Sequence, residues 1–369
     1  MPFPTAESDL RSRLERELGE SYAIQRELGG GGSAKVFLAI ERALDRPVVL
    51  KVLPPEATVG VDGERFRREI LIAARLQHPH LVPLLQAGTV NAEAGDRALR
   101  WFSMPFVEGQ TLREQLQRRT RYSVNDGLRL LRELASGLMY AHARGVVHRD
   151  IKPENVLLSG DAAMIADFGV AKALDDASDG ALKSGKRVTT VSMALGTPAY
   201  MSPEQISRAP MVDHKADLYA FGCLAYELFA GAPPLERESL RATMAAQMQD
   251  PPPPLHQIRP DLPEALVNVI MRCLHKDPLQ RPHSASVIVK VIDEVQTGTA
   301  NGDTAHGGTA HGETSNSESP GAGSLHARSR EAGSRSGDRA AREPVTIYVV
   351  PLLLMIAVVA AVVWWVFLR

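Results

Sequence analysis

Cysteine is nearly absent. Cys223 and Cys273 are the only two, each in an apolar stretch with helical spacing. That excludes a disulfide framework and predicts buried free thiols. An excess of either charge is also missing, because 42 Lys and Arg against 43 Asp and Glu leave a net charge of -1. A general nucleic-acid binder needs a basic surplus, so no nucleic-acid partner is expected. The first 28 residues carry acids throughout and no apolar core, which excludes a secretory signal peptide. What remains is ordinary for a globular protein: 44% hydrophobic and 23% charged residues, in a length that admits two or three domains.

Long hydrophobic runs are missing too, with one exception. From Pro344 to Leu368 there is no charged residue, and the run from Ile347 to Leu368 is long enough to span a bilayer. Trp364 and Trp365 lie near its far end, where amphipathic rings favour the interface. Arg328, Arg330, Arg335, Arg339 and Arg342 precede it, which by the positive-inside rule keeps the folded part in the cytoplasm. The expectation is a single-pass anchor in the cell (inner) membrane over residues 344–369. Only Arg369 follows, so no sensor domain is expected beyond the membrane. Between 296 and 343 apolar residues nearly vanish in favour of Gly, Ser, Thr, Ala and Arg, the composition of a flexible linker. His306 and His311 fall in a small repeat there, and two histidines in such a tract make a poor metal site.

The chemistry concentrates between Gly145 and Gly169. The run His148-Arg149-Asp150-Ile151-Lys152-Pro153-Glu154-Asn155 places an acid, a lysine two residues on and an amide five residues on in one loop. A short apolar segment, Val156 to Leu158, and a turn at Ser159-Gly160-Asp161 lead to Asp167-Phe168-Gly169. Two acids and an amide joined by a hairpin can receive a hydroxyl proton and hold a hard cation through oxygen. Upstream, Leu28 opens the run Gly29-Gly30-Gly31-Gly32-Ser33-Ala34-Lys35-Val36, ahead of the β-branched run Pro47 to Leu53 with Lys51 in its middle. A lysine in a buried strand needs a partner. Glu69 is the expected one, on a segment from Glu64 to Leu76 with Phe66, Ile70, Ala73 and Ala74 on one stripe.

Together these motifs resemble the Hanks-type (eukaryotic-like) bacterial serine/threonine protein kinases over roughly residues 20 to 295. The resemblance implies an α+β, two-lobed fold, with a small β-rich N-lobe, a larger helical C-lobe and, here, a C-terminal transmembrane helix. It divides the chain into a helical extension (1–20), a kinase domain (21–295), a polar linker (296–343) and a membrane anchor (344–369). The implied activity is transfer of the ATP γ-phosphate to Ser and Thr hydroxyls of proteins, with Mg²⁺, or Mn²⁺ as an alternative.

Roles follow residue by residue from the same resemblance. Asp150 accepts or orients the substrate hydroxyl, Lys152 neutralises the γ-phosphate, and Asn155 and Asp167 ligate the metal. The segment from Leu28 through Gly29, Gly30, Gly31, Gly32, Ser33, Ala34 and Val36 covers ATP, Lys51 grips its phosphates and Glu69 orients Lys51. Val49 lies over the adenine, Met104 limits the depth of its pocket, and the hinge hydrogen bond falls to Val107 or a carbonyl, since Pro105 has no N–H. Ala34 stands where the family has a third glycine, Val49 where alanine is frequent, and Ser202 where alanine is usual.

From Lys172 to Leu195 the chain is polar and reads as an activation loop, with Thr189, Thr190 and Ser192 as candidate phosphosites facing Arg149. Gly196 to Glu204 resembles the peptide-docking segment, in which Thr197 bonds Asp150 and Lys152 and Glu204 pairs with Arg281. Asp217 is expected to brace the catalytic loop. A scaffold that has lost catalysis would lack Lys51, Asp150 or Asp167, and a small-molecule phosphotransferase would not need the docking segment. Self-association on the membrane, favouring phosphorylation in trans, is a further expectation.

Strands are expected at Tyr22 to Leu28, Pro79 to Gly88 and Arg100 to Phe106. Helices are expected over residues 8–18, from Thr111 as N-cap, over Asn125 to Ala143, from Asp217 to Gly231, and over Leu266 to Leu274 and Ser284 to Val295.

Overall fold

The computed structural model describes residues 6–31, 34–53, 70–90, 98–118, 121–168 and 198–304. Five strands form an antiparallel sheet in the order β1-β2-β3-β5-β4. They are β1 (Tyr22–Gly31), β2 (Ala34–Glu41), β3 (Arg46–Leu53), β4 (Gln86–Val90) and β5 (Leu99–Pro105). Side chains alternate across each strand, and the apolar patterning uses both faces. Val48, Leu50 and Val52 of β3 join Phe37, Ala39, Leu99 and Trp101 in one core, whereas Val49 and Leu53 join Ala34, Phe102 and Met104 in another. Lys51 falls on the second face, between Val49 and Leu53.

Helix α1 (Ala6–Leu18) covers the first face. Its Leu14 is fully buried among Tyr22, Ile24 and Phe37, a burial that contributes roughly 2 kcal/mol. Arg11 donates from Nη2 to the Ile24 carbonyl at 3.3 Å, beside an irregularity in the β1–β2 register between Ile24 and Arg26. The strand expected to end at Leu28 continues into the glycine run. β1 continues through Gly31, Gly30 pairs with Lys35 and Gly31 with Ala34, so only residues 32 and 33 separate the strands.

The C-lobe is built on α5 (His214–Ala230), buried almost all round. An apolar helix without a polar face belongs in a core. Asp213 caps its N-terminus by accepting from Lys215 N–H, and Gly231 ends it in the left-handed region at φ 91°. Against it pack α3 (Val124–His142), α7 (Leu255–Ile258) and α8 (Glu264–Cys273), and the lobe also holds α2 (Leu112–Arg118), α4 (Pro203–Ile206), α6 (Leu240–Gln249) and α9 (Ala285–Thr304). Thr111 and Glu114 close a capping box at α2: the Thr111 hydroxyl accepts from Glu114 N–H at 3.1 Å and the Glu114 carboxylate from Thr111 N–H at 2.7 Å. A second sheet, β6-β7-β8 (Gln110–Thr111, Val156–Ser159, Ala162–Ile165), carries the chain between the two acidic motifs. Its tight turn holds Gly160 at φ 55°.

Two further boundaries differ from expectation. The strand expected from Pro79 begins only at Gln86; before it, Leu81 makes a single parallel bridge to Ile165, because Pro79 and Pro83 interrupt ladder pairing. The helix expected to end at Val295 runs on to Thr304; the Thr297 hydroxyl bonds the Asp293 carbonyl at 3.0 Å instead of breaking the turn. The stretch expected to span a membrane, 344–369, lies outside the described residues, among which no helix is long and apolar enough to cross a membrane. Both cysteines are free and buried.

Candidate active site

The loop from Val146 to Lys152 leaves α3 at Gly145, which takes φ 73°. Asp217, fully buried in α5, holds that loop by its backbone: one carboxylate oxygen accepts from Arg149 N–H at 2.7 Å and the other from His148 N–H at 2.8 Å. His142 reaches the second oxygen from Nε2 at 2.8 Å. Burial opposes ionisation of Asp217, but the His142 hydrogen bond and the surrounding donors outweigh it and hold its carboxyl below the ordinary carboxylate range. His148 is itself fully buried. Its Nε2 bonds the Ala166 carbonyl at 2.8 Å, and its Nδ1 accepts from Asp150 N–H at 3.1 Å. Both ring nitrogens are thus engaged by backbone, one of them by that of Asp150.

Asp150 is thereby fixed with its carboxylate partly exposed. Lys152 Nζ lies 2.8 Å from Asp150 Oδ2. Asn155 donates its side-chain amide to the same oxygen at 3.0 Å and to the Asp150 carbonyl at 2.7 Å. With its NH₂ spent this way, Asn155 keeps its carbonyl oxygen as an acceptor. Ala166 N–H bonds the Asn155 carbonyl at 2.9 Å, which draws Asp167 to the same place. Phe168 packs edge-on against His148, ring centroids 4.5 Å apart.

Lys51 Nζ lies 2.6 Å from Asp167 Oδ2. Burial works against ionisation of Asp167, and the Lys51 ammonium more than offsets it, so its carboxyl titrates low. The other oxygen, Oδ1, is buried and has no hydrogen-bond partner among the described residues. The orphaned Asp167 oxygen and the amide oxygen of Asn155 are the donor types that suit a hard divalent cation, and the residues present fit one.

The adenine-site candidates gather in one apolar cluster. Ala34, Val49 and Met104 are buried in it, and Leu28, Val36 and Val107 pack half-buried at its edge with Leu157 and Ala166 from below. Val49 stands directly opposite Met104 in the β3–β5 ladder. Phe106 N–H is taken by the Pro47 carbonyl at 3.3 Å. Gly29 has φ 146° and leaves its surroundings open. Arg281, buried in the C-lobe, forks onto both oxygens of Glu204 at 2.6 and 2.8 Å. Gly32, Ser33, Glu69, Thr189, Thr190, Ser192 and Thr197 lie outside the described residues, so the pairing expected for Lys51 with Glu69 does too.

Sequence reasoning passed over Arg113. Its guanidinium donates from Nε to Glu154 at 2.8 Å, from Nη1 to Glu227 at 2.6 Å and from Nη2 to the Tyr200 hydroxyl. It therefore joins the catalytic loop, α5 and the docking segment. The available signal was Glu227, a lone charge near the end of an apolar helix, which cannot stay buried unpaired. Gln205 was missed as well: its side-chain amide donates to the Arg149 carbonyl at 2.7 Å. Ser202 accounts for its own substitution, because it caps α4 reciprocally with Gln205.

Residues 22–291 match the family model described as protein kinase domain. Serine/threonine-protein kinase pkn3 of Myxococcus xanthus is 37% identical over 291 residues, covering 75% of this chain and 50% of that protein. Serine/threonine-protein kinase PknD of Mycobacterium tuberculosis is 36% identical over 267 residues, 72% of this chain and 38% of that one. The chain spans half or less of the length of these curated relatives. Among solved structures, the M. tuberculosis PknI kinase domain superposes with a TM-score of 0.57 at 30% identity, covering 75% of this chain and 96% of that one.

Proposed function

The chain belongs to the Hanks-type bacterial serine/threonine protein kinases, and on that footing we propose that it transfers the ATP γ-phosphoryl group to Ser and Thr hydroxyls of proteins. The observation that carries the reading is one constellation: Lys51, Asp150, Lys152, Asn155 and Asp167 linked by bonds of 2.6 to 3.0 Å and by the Ala166–Asn155 backbone bond. A protein kept only as a scaffold has no need of these groups, and none is missing.

In this reading Asp150 takes the proton of the incoming hydroxyl, its carboxylate aimed by Lys152 and Asn155. Lys51 serves the α- and β-phosphates and Lys152 the γ-phosphate, so charge developing in transfer meets fixed cations. A divalent cation, Mg²⁺ by preference, held through oxygen by Asn155 and Asp167, neutralises phosphate charge when bound. The apolar cluster around Val49, Met104 and Val107 takes the adenine. Glu69 orients Lys51, and Thr197 steadies Asp150 and Lys152. The chain phosphorylates itself in trans on Thr189, Thr190 or Ser192, and residues 344–369 tether it to the inner membrane with the kinase domain in the cytoplasm.

The test is to incubate the purified full chain with Mg²⁺ and ATP and map phosphate by mass spectrometry, with Asp150→Asn as control. Phosphate on 189, 190 or 192 that vanishes in the control is the expected result. A wild-type chain that labels neither itself nor an added protein overturns the reading. For the tether, the full chain should float with phospholipid vesicles and resist alkaline extraction, and a chain cut after residue 304 should do neither.

A further inference from the structure

The segment from Pro198 to Glu204 is gripped at both ends, and both grips meet at one ring. At its far end Glu204 is forked by Arg281, whose guanidinium carbon lies 4.8 Å from the Tyr219 ring centroid. At its near end the grip is Gln247, a glutamine of α6 with no exposed surface. Its side-chain amide donates to the Ala199 carbonyl at 2.6 Å and more weakly to the Pro198 carbonyl at 3.3 Å. Its own carbonyl oxygen accepts from the Tyr219 hydroxyl. Tyr219, also fully buried, receives a hydrogen bond from Lys276 Nζ at 3.0 Å.

A buried glutamine is costly unless both ends of its amide are used, and here both are. The Tyr219 hydroxyl fixes which way the amide faces, so that NH₂ and not oxygen meets the two carbonyls. Those carbonyls belong to a short 3₁₀ turn, Pro198–Tyr200, and the Pro198 carbonyl also accepts from Met201 N–H at 3.2 Å. The next residue, Tyr200, points the other way to Arg113 and Glu227. The backbone of this turn therefore has its position set by side chains.

We propose that Gln247 and Tyr219 are positioning residues for the protein substrate: they fix the Pro198–Tyr200 backbone, and with it the affinity for the peptide being phosphorylated. The inference rests on the kinase reading, because a docking segment matters only if a peptide docks.

The test compares the full-length wild type with Gln247→Leu and Tyr219→Phe. The first removes both donors at similar volume. The second removes one hydroxyl, leaves the ring under Arg281, and is the variant to rely on if the first folds poorly. The substrate is a synthetic peptide spanning Ser184 to Gly196, and amide exchange is followed in parallel. Losing a buried hydrogen bond of this kind is expected to raise KM for the peptide about tenfold. KM for ATP should stay within about twofold, since neither residue touches the adenine cluster. Exchange of the Met201 amide should quicken about tenfold while that of α8 holds, because loosening confined to one turn is local unfolding. Unchanged peptide KM and unchanged Met201 exchange in both variants would overturn the proposal, and so would equal rises in both KM values with faster exchange throughout. If the wild type phosphorylates nothing, the kinase reading fails, and Met201 exchange still decides whether Gln247 sets the turn.

Discussion

The Asp217 carboxylate accepts the Arg149 amide at 2.7 Å while Arg149 sits at φ 70°, a left-handed geometry that a residue with a side chain adopts at a cost. The hydrogen bond and the strain belong together. Without the buried acceptor the loop would relax, and Asp150, the next residue, would move. Asp217→Asn should therefore cost about 2–4 kcal/mol, from weakened bonds to a charged acceptor, and should lower kcat along with stability. Chemical denaturation read against initial rates checks both.

The same carboxylate predicts a pH dependence. Its folded pKa is depressed, so its contribution is fully present above the unfolded value and is lost as pH falls through the folded one. The window opens near the ordinary value of 3.8 and extends below it. Between neutral pH and about 5 this group should contribute no slope. Urea midpoints measured below the window's upper edge should fall more steeply for wild type than for Asp217→Asn. Parallel curves would contradict the assignment.

Lys51 and Asp150 should separate stability from catalysis. Lys51→Met removes the cation facing Asp167 and leaves a largely buried carboxylate with an orphaned oxygen, a loss of about 3 kcal/mol. Asp150→Asn keeps that pair and an amide that still bonds Asn155, so its stability should stay within about 1 kcal/mol of wild type. Both should lose phosphoryl transfer by about a thousandfold or more. Thermal melts without nucleotide tell them apart, with only Lys51→Met shifted.

The pattern of what was legible follows from these sites. Local order carries the catalytic motifs: His148 to Asn155 and Asp167 to Gly169 are short runs whose spacing is fixed by one hairpin, and period-2 alternation in β3 puts Lys51 on the face of Val49. Pairings across distant elements are less visible. Glu204 and Arg281 came with the family resemblance. Arg113, Gln205 and Gln247 answer needs created only once the chain is folded, namely a buried Glu227, a half-buried loop carbonyl and a short 3₁₀ turn. The strand expected to end at Leu28 runs further for a related reason: Gly30 and Gly31 pair as strand because β2 lies beside them, whatever their own preference.

Gly109 offers a sharp backbone test. It joins Val107 to β6 at φ 150°, and a Cβ there would lie 1.9 Å from the Leu158 carbonyl oxygen. That oxygen belongs to β7 and cannot swing aside as a side chain would. Gly109→Ala should cost about 2–4 kcal/mol, a fall of roughly 5–10 °C in melting temperature. Gly145→Ala has nothing within 4 Å of its added carbon and meets only the strain of φ 73°, so its loss should be smaller. Equal losses would mean that strain and not the Leu158 contact dominates at Gly109.

The thiols provide a probe of the C-lobe core. Cys223 of α5 and Cys273 of α8 have no exposed surface. Burial pushes both thiols up to about 12, despite the opposing charges of Lys276 and Arg281 near the first and Arg281 and Arg272 near the second. Relative to an ordinary thiol, the thiolate fraction at pH 8 falls by about a thousandfold, and only the thiolate attacks. The folded chain should therefore give no prompt reaction with a disulfide reagent, and both thiols should react once guanidinium unfolds it. Slow labelling of the native state should depend on opening of α5 against α8, since Gly222 packs where an added Cβ would lie 2.7 Å from Cys273 Cβ. Gly222→Ala should accelerate labelling of both cysteines together. Acceleration of one alone would mean that the two helices do not open as a unit.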